Sequence, residues 1–180
     1  MLRVIAGKYK SRKLKDVKSN LTRPTTDKNK ETIFNSIGQF FDGGTCLDLF
    51  AGSGSLGIEA LSRGMTHCDF VDKQYSAIKV INENIKVLNL DEETMLYQKD
   101  ALSFLNSTSQ TYDLILADPP YKLNAYHDIL DVISSRHLLN KHGIIVMESD
   151  HLREIDPMND LVKIKEKKLG QSKISIFERI

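Results

Sequence analysis

The stretch TCLDLFAGSGSLGIEALSRG, residues 45–64, decides the fold. Its mainly apolar run Cys46–Phe50 predicts a buried strand, because aliphatic and aromatic residues lead directly into a glycine-rich turn. The apolar spacing of Leu56–Arg63 predicts a helix that ends at Gly64. A strand followed directly by a glycine turn and a helix is the repeating unit of an α/β domain.

The same alternation continues through the rest of the chain. The predicted strands after the first are His67–Val71, Thr94–Gln98, Tyr112–Ala117 and Gly143–Glu148. The predicted helices between and after them are Ser76–Leu90, Ala101–Leu105 and Ala125–Leu139. This pattern predicts a doubly wound, mostly parallel, Rossmann-like sheet with helices on both faces. Two final runs, Leu161–Lys165 and Ile174–Phe177, turn at Gly170 and should add an antiparallel pair at one side.

The N-terminal part does not follow the alternation. Two short runs, Arg3–Ala6 and Arg12–Val17, predict a β-hairpin across Gly7. A breaker at Pro24 then precedes residues that can cap a helix at Thr26 or Asp27, and this helix should run to about residue 40. We therefore expect a basic hairpin extension, residues 1–26, and an α/β domain, residues 27–180.

Charge is distributed unevenly along the chain, although the net charge is only +1. Residues 1–40 hold ten basic and three acidic side chains, while the other 140 residues hold fifteen basic and twenty-one acidic ones. A basic arm on a mildly acidic body suggests a polyanionic partner such as nucleic acid. Such a run can also be an ordinary solvated face, so charge alone leaves both interpretations open.

The sequence also argues against a membrane-spanning, secreted or metal-binding protein. The 180 residues hold no apolar run long enough to span a membrane, and the N-terminus lacks the apolar stretch of a signal peptide. We expect a cytoplasmic monomer whose cysteines, Cys46 and Cys68, are buried reduced thiols. The five histidines have no metal-ligand spacing, so no metal site is predicted.

Acidic residues follow the predicted strands at the points where a parallel sheet binds its ligands. Asp48, Asp72, Asp100 and Asp118 stand at the ends of four successive strands. Between the first two, residues 52–57 match G-x-G-x-x-G, and Asp72 follows Gly52 by 20 positions. Both a nicotinamide enzyme and a methyltransferase use such glycines and such an acid, so the loop alone does not choose between them.

Asp48 favours the methyltransferase. A pyrophosphate on the helix N-terminus would be repelled by a carboxylate inside the strand, whereas the sulfonium and ammonium of S-adenosylmethionine would be attracted to it. Residues 47–54 resemble the first motif of class I methyltransferases. That resemblance implies that the loop holds the methionine part, Asp72 binds the ribose and Asp100-Ala101 flank the adenine. The predicted cofactor-binding residues are Asp48, Phe50, Gly52, Ser53, Gly54, Asp72, Lys73, Asp100 and Ala101.

Asp118-Pro119-Pro120-Tyr121 predicts the class of substrate. Two prolines stiffen the backbone at a strand end and carry carbonyls without N–H groups. An exocyclic amine of a base is a poor nucleophile, because its lone pair is delocalised into the ring. A carboxylate and a proline carbonyl that accept its two N–H bonds would localise that lone pair, while Tyr121 stacks on the extruded base. The alternative is a proline-stiffened turn capped by an aspartate.

Taken together, the chain is similar to the bacterial 16S rRNA guanine-N2 methyltransferase family of RsmD type, over nearly its whole length. The likeness rests on residues 3–7, 23–27, 31–35, 48–64, 71–73 and 118–121. It implies methylation of a guanine 2-amino group in 16S rRNA, within a small ribosomal subunit or an assembly intermediate. It also implies RNA contacts by Arg3, Lys8, Lys10, Arg12, Lys13 and Arg23. Ser11 stands where the family commonly has glycine.

Other functions remain open from the residues alone. The Asp118 motif serves adenine and cytosine amines as well as guanine, so adenine N6 in DNA or another RNA is the second hypothesis. The chain has no separate target-recognition domain, which argues against a sequence-reading DNA enzyme. A non-catalytic nucleic-acid binding protein is the third, and the intact glycines and strand-end acids count against it.

Overall fold

The computed structural model of the protein describes residues 1–18 and 25–180. The strands are β1 (Thr45–Leu49), β2 (His67–Asp72), β3 (Thr94–Gln98), β4 (Tyr112–Ala117), β5 (Leu139–Asp150), β6 (Leu161–Leu169) and β7 (Ser172–Arg179). The α-helices are α1 (Asp27–Ile37), α2 (Ser55–Ser62), α3 (Tyr75–Leu88), α4 (Ala101–Ser107) and α5 (Tyr126–Ser135). Short 3-10 turns lie at Asp91–Glu93 and Tyr121–Leu123.

The seven strands described form one sheet in the order β3-β2-β1-β4-β5-β7-β6. Strands β1 to β5 pair in parallel, while β7 runs antiparallel to both β5 and β6. The predicted doubly wound sheet with an antiparallel C-terminal pair is therefore confirmed. The parallel strands all point their carboxyl ends to one edge, which we call the carboxyl edge, and begin at the opposite, amino edge.

Helices cover both faces because the central strands are apolar on both sides. In β4, Leu116 packs into a core with α1, α2 and α3, while its neighbour Ile115 packs into a second core with α4 and α5. Both side chains are at most 1% exposed. Burying a side chain of this size stabilises a fold by roughly 1.5–3 kcal/mol. Successive residues of the strand therefore stabilise the packing of the two helix layers in turn.

Element boundaries differ from the predicted ones where the backbone becomes left-handed. Helix α5 ends at Ser135 instead of residue 139, because His137 adopts φ 53°. The chain then enters β5 at Leu139, which pairs with Tyr112, four residues before the predicted start. Helix α1 likewise ends at Ile37, because Gly38 has φ 119°. Strands β6 and β7 are longer than predicted, because the added residues also pair with each other across the two strands.

The N-terminal residues form an antiparallel pair with little regular structure. A single bridge joins Arg3 and Lys13, flanked by a hydrogen bond from the Val4 N–H to the Arg12 carbonyl at 2.9 Å. The two predicted strands are therefore reduced to this bridge. Ser11, in the turn, has φ 69°, a left-handed conformation in which glycine is strain-free. The division of the chain after residue 26 stays a prediction.

The same segment contributes to the main core. Leu2, Val4 and Leu14 are at most 8% exposed and belong to the cluster that α1, α2 and α3 form on the sheet. Glu59 of α2 also accepts the N–H groups of Ile5 and Ala6, at 2.9 and 3.0 Å. These contacts fix the segment against the domain.

Candidate active site at the carboxyl edge

Acidic side chains meet at the carboxyl edge because of the strand register. Ala117 of β4 pairs with Met147 of β5, so the residues that follow them, Asp118 and Glu148, are neighbours across the sheet. Adjacent strands lie about 4.8 Å apart. Asp48 lies one row further in, opposite Leu116, on the face covered by α1 to α3. We call Asp48, Asp118 and Glu148 the acidic cluster.

Burial raises the pKa of every member of this cluster. The pKa of Asp48 rises to about 8, chiefly through burial, and the N–H of Gly57 opposes this by donating to Oδ2 at 2.9 Å. The pKa of Asp118 is raised well above its usual range by burial and then by the charges of Glu148 and Asp48. Burial also raises the pKa of Glu148, against a 3.0 Å hydrogen bond from the Ser172 hydroxyl.

These three carboxyls thus lie together without a compensating cation. The groups that act on their pKa values are other acids, a backbone N–H and a serine hydroxyl, with no lysine or arginine from the residues described. Like charges in a partly buried site are unfavourable, and a positively charged ligand would relieve the repulsion. The cluster is therefore suited to bind a cation.

The glycine-rich loop beside the cluster leaves room for a ligand. Gly52 has φ 58°, and a side-chain carbon placed on it would meet nothing within 4 Å. Its N–H donates to Asp72 Oδ2 at 2.9 Å, which holds the loop against the end of β2. Gly57 has a different role, since a side-chain carbon there would lie 2.5 Å from the Phe70 ring. Gly52 opens the site, whereas Gly57 allows α2 to pack closely on β2.

The other predicted cofactor residues lie along the same edge. Phe50 and Gly54 turn the loop with φ values of 57° and 79°, and Ser53 lies between the two glycines. Asp72 Oδ1 accepts the Gln74 N–H at 2.9 Å. Asp100 caps α4 through a 3.1 Å bond from the Ser103 N–H. Lys73 is exposed at the end of β2, and Ala101 is 5% exposed at the start of α4.

The segment from Asp118 to Tyr121 leaves β4 and enters a short 3-10 turn. Pro119 is buried and Pro120 is exposed. The Pro120 carbonyl accepts the Leu123 N–H at 2.9 Å and is therefore engaged within the turn. Of the two proline carbonyls, that of Pro119 is the nearer to Asp118. Tyr121 has 36% of its surface exposed and can offer a ring face to a ligand.

Sequence reasoning missed residues that share this edge. Glu148 is the last residue of the predicted strand Gly143–Glu148, so the rule applied to the other strand-end acids could have found it, although β5 continues to Asp150. Ser55 and Tyr126 were not predictable in this way. Their hydroxyl oxygens are buried and have no hydrogen-bond partner within the described part of the chain. Burial raises the pKa of Tyr126 to about 12.

The structure places three of the six predicted RNA-binding residues, Lys8, Lys10 and Arg12, away from the acidic cluster. The Lys8 N–H donates to the Ser62 carbonyl at 2.8 Å, and the Arg12 guanidinium donates to the Val87 carbonyl at 3.1 Å. Both carbonyls belong to the C-terminal ends of α2 and α3, which lie at the amino edge. Lys10 shares the turn with Lys8.

The remaining predicted basic residues differ in their surroundings. Arg3 forms a 2.9 Å ion pair with Asp27 at the start of α1. Lys13 is exposed opposite Arg3. Arg23 lies outside the described residues.

Comparison with known proteins decides the family. The family described as conserved hypothetical protein 95 matches residues 2–178. The chain belongs to this family. A Bacillus subtilis protein, YlbH, is 43% identical over 99% of both chains, and its name assigns it provisionally as an rRNA methyltransferase. The Haemophilus influenzae ribosomal RNA small subunit methyltransferase D is 30% identical, and the match covers 94% of this chain and 89% of that protein. The predicted resemblance is therefore confirmed.

Solved structures agree with this assignment. An Escherichia coli structure described as a methyltransferase, yhhF, superimposes with a TM-score of 0.87 at 28% identity and covers 99% of this chain and 97% of its own. A methyltransferase structure, SMU.776 in complex with SAH, has a TM-score of 0.69 at 14% identity, covers 83% of this chain and 49% of its own, and shows the shared fold. In the part of this chain that is described, no helix has the length and apolarity needed to cross a membrane.

Proposed function

We propose that this protein transfers a methyl group from S-adenosylmethionine to the 2-amino group of a guanine in 16S rRNA. The observation that carries the proposal is the position of Asp118-Pro119-Pro120-Tyr121 at the end of β4. This segment lies beside the glycine loop and the acidic cluster, which is suited to bind a cation. Members of the same family with nearly full-length similarity are named as rRNA methyltransferases, which supports rRNA as the substrate class.

The residues present fit this cofactor. Its sulfonium and ammonium are the positive charges that the acidic cluster lacks. Gly52 leaves open space beside the loop, and the Ser55 hydroxyl at the start of α2, which has no hydrogen-bond partner among the described residues, can bond to a polar ligand group. Asp72, at the end of β2, is placed to accept hydrogen bonds from ribose hydroxyls. When bound, the cofactor supplies an electrophilic methyl group.

The chain's own residues then have to position the amine. Asp118 and the Pro119 carbonyl accept the two N–H groups of the guanine 2-amine, so that its lone pair is directed at the methyl carbon. The nitrogen forms the new N–C bond as the C–S bond breaks, and the methylated amine then releases a proton to Asp118 or water. Catalysis of this kind comes from proximity and electrostatic placement. Tyr121 supplies the stacking surface for the base.

The basic N-terminal segment would contact a different part of the RNA from the target nucleotide. Lys8, Lys10 and Arg12 lie at the amino edge, while Asp118 lies at the carboxyl edge, and a six-residue strand is about 20 Å long. A substrate that contacts both edges must therefore extend over about 20 Å. 16S rRNA, within the small subunit or an assembly intermediate, is long enough to do so.

Neutralising this segment should weaken RNA binding in a salt-dependent manner. We expect the quadruple Lys8→Gln, Lys10→Gln, Arg12→Gln and Lys13→Gln variant to bind 16S rRNA less tightly. The slope of log affinity against log salt should also be shallower, by about 0.7–0.9 for each RNA phosphate that the variant no longer neutralises. Filter binding at several salt concentrations measures this. The control variant neutralises Lys165, Lys167 and Lys168, which are exposed on β6 at the far side of the sheet. An unchanged slope would remove the segment from the interface.

Cofactor binding should be coupled to proton release. A bound cation lowers the raised pKa values of the acidic cluster, because it favours the ionised carboxylates. Binding at neutral pH therefore releases protons, and affinity should rise between pH of about 6 and about 8, by up to about tenfold per pH unit for each proton released. Calorimetry in two buffers with different ionisation enthalpies counts the protons. S-adenosylhomocysteine, which lacks the sulfonium charge, should release fewer. Affinity that falls with pH would contradict this.

Methyl transfer in vitro tests the proposal. Purified protein is incubated with labelled S-adenosylmethionine and with small subunits, free 16S rRNA or duplex DNA from a strain without the gene. We expect label in 16S rRNA at a guanine that yields N2-methylguanosine on digestion. Label at N6 of adenine, or in DNA, would overturn the choice of base or of nucleic acid.

A further inference from the structure

Guanine and adenine differ at the ring nitrogen beside the reactive amine. Guanine presents an N1–H donor next to its 2-amino group, whereas adenine presents an N1 lone pair next to its 6-amino group. An enzyme that methylates guanine N2 can therefore select its base with an acceptor placed opposite N1. Asp118 and Pro119 already face the amine in the proposed function, so the N1 position requires a further group.

We propose that Glu148 is this group, a specificity residue that accepts the guanine N1–H while Asp118 holds the 2-amino group. The inference rests on the proposed function and deepens it by assigning base choice to a side chain. Glu148 and Asp118 directly follow the paired residues Met147 and Ala117, so they stand side by side at the carboxyl edge. Their separation of about one strand spacing, roughly 4.8 Å, suits two acceptors that engage adjacent atoms of one base edge.

The sheet order places Glu148 on the substrate side of Asp118. Strands β1, β2 and β3, with the glycine loop, Asp72 and Asp100, lie on one side of β4, and β5 lies on the other. A cofactor held by the loop and Asp72 therefore occupies the β1–β3 half. The base must therefore approach Asp118 from the β5 side of β4. On that side lies Glu148, the one member of the acidic cluster that belongs to β5, and its side chain is partly exposed.

The Glu148 carboxylate is held in place by a second strand. The Ser172 hydroxyl, at the start of β7, donates to Oε1 at 3.0 Å. This bond orients the carboxylate and leaves Oε2 as an acceptor for a ligand N–H. An adenine at the same place would direct its N1 lone pair at that oxygen, which is repulsive. Sites built to hydrogen-bond one partner reject the analogue that lacks it far more strongly than apolar pockets reject extra or missing methyl groups.

A base analogue that keeps the 2-amino group but has a hydrogen-bond acceptor instead of a donor at N1 distinguishes selection of the base from the methyl-transfer step. The substrate is 16S rRNA carrying either guanine or 2,6-diaminopurine at the target position. Diaminopurine retains the 2-amino group, but its N1 is an acceptor. We expect the native protein to methylate guanine with at least about tenfold higher kcat/KM than diaminopurine. In Glu148→Gln the amide can donate to N1 of diaminopurine, so the guanine-to-diaminopurine ratio should fall at least about tenfold.

The control variant is Glu178→Gln, which changes an acid of β7 at the amino edge and should leave the ratio unchanged. Binding of S-adenosylhomocysteine by each variant reports that the site is folded. A ratio unchanged in Glu148→Gln, or an equal loss on both bases, would overturn the role of Glu148, because a residue that governs base choice must change the ratio. If the native protein methylates no guanine in 16S rRNA, the proposed function fails instead, whatever Glu148 does.

Discussion

Asp118→Ala is expected to reduce methyl transfer by about 10²–10⁴-fold, the range found when a positioned catalytic group or charge-stabilising contact is removed. The carboxylate accepts an N–H of the reacting amine in our account, so its loss removes the orientation of the nucleophile. Cofactor binding should change far less than turnover, because Asp48, the glycine loop and Asp72 remain. Single-turnover kinetics on 16S rRNA and calorimetry with S-adenosylhomocysteine measure the two quantities.

The control for this prediction is Asp128→Ala, which removes an exposed aspartate on α5, and it should keep normal turnover. Asp118→Asn is the second variant, since it preserves the size of the side chain. Near-normal turnover in Asp118→Ala would show that Asp118 does not position the amine. Equal loss of cofactor binding and turnover would assign it to the cofactor.

Glu59→Ala should strongly destabilise the fold. Glu59 is fully buried between Lys30 and Arg63, at 3.7 and 2.9 Å. It also accepts the N–H groups of Ile5 and Ala6. Its removal would leave the two buried cations without their counter-charge and the part-buried N–H groups of Ile5 and Ala6 without their acceptor. Breaking a buried pair in this way costs about 3–5 kcal/mol of unfolding free energy.

Urea denaturation measures this loss, and Glu83→Ala is the matched control. Glu83 pairs with Lys15 at 2.7 Å, but the Lys15 side chain is 65% exposed, so removing this solvent-screened pair should cost little stability. A loss below about 1 kcal/mol in Glu59→Ala would mean that the buried network contributes little net stability. Burial already lowers the pKa of Lys30, and Glu59 is the first group that opposes this shift.

The sequence was informative about the order of the elements and the ends of the strands, and less so about what connects them. Strand-end acids such as Asp48 and Asp118 could be predicted to meet, because parallel strands share one carboxyl edge. The Glu59 network could not be predicted, since it joins α1, α2 and the N-terminal segment through long-range packing. The end of α5 was also missed, because the left-handed His137 is no glycine or proline and gave no signal.

The site could be predicted from the sequence in more detail than the basic surface. The glycine loop and Asp72 could be placed from spacing alone, and the structure joins them by a direct hydrogen bond. The basic residues near the N-terminus could be recognised only as a charge run. Their positions depend on how residues 7–12 dock on the ends of α2 and α3, which no local pattern specifies.

Mass-spectrometric mapping of modified nucleotides in 16S rRNA tests the central claim most directly. The map is compared between a strain with the gene, a strain without it, and the deletion strain that carries either the native gene or the Asp118→Ala variant. We predict that one N2-methylguanosine disappears on deletion, returns with the native gene and stays absent with Asp118→Ala. A 16S rRNA that retains all its N2-methylguanosines after deletion would contradict the account.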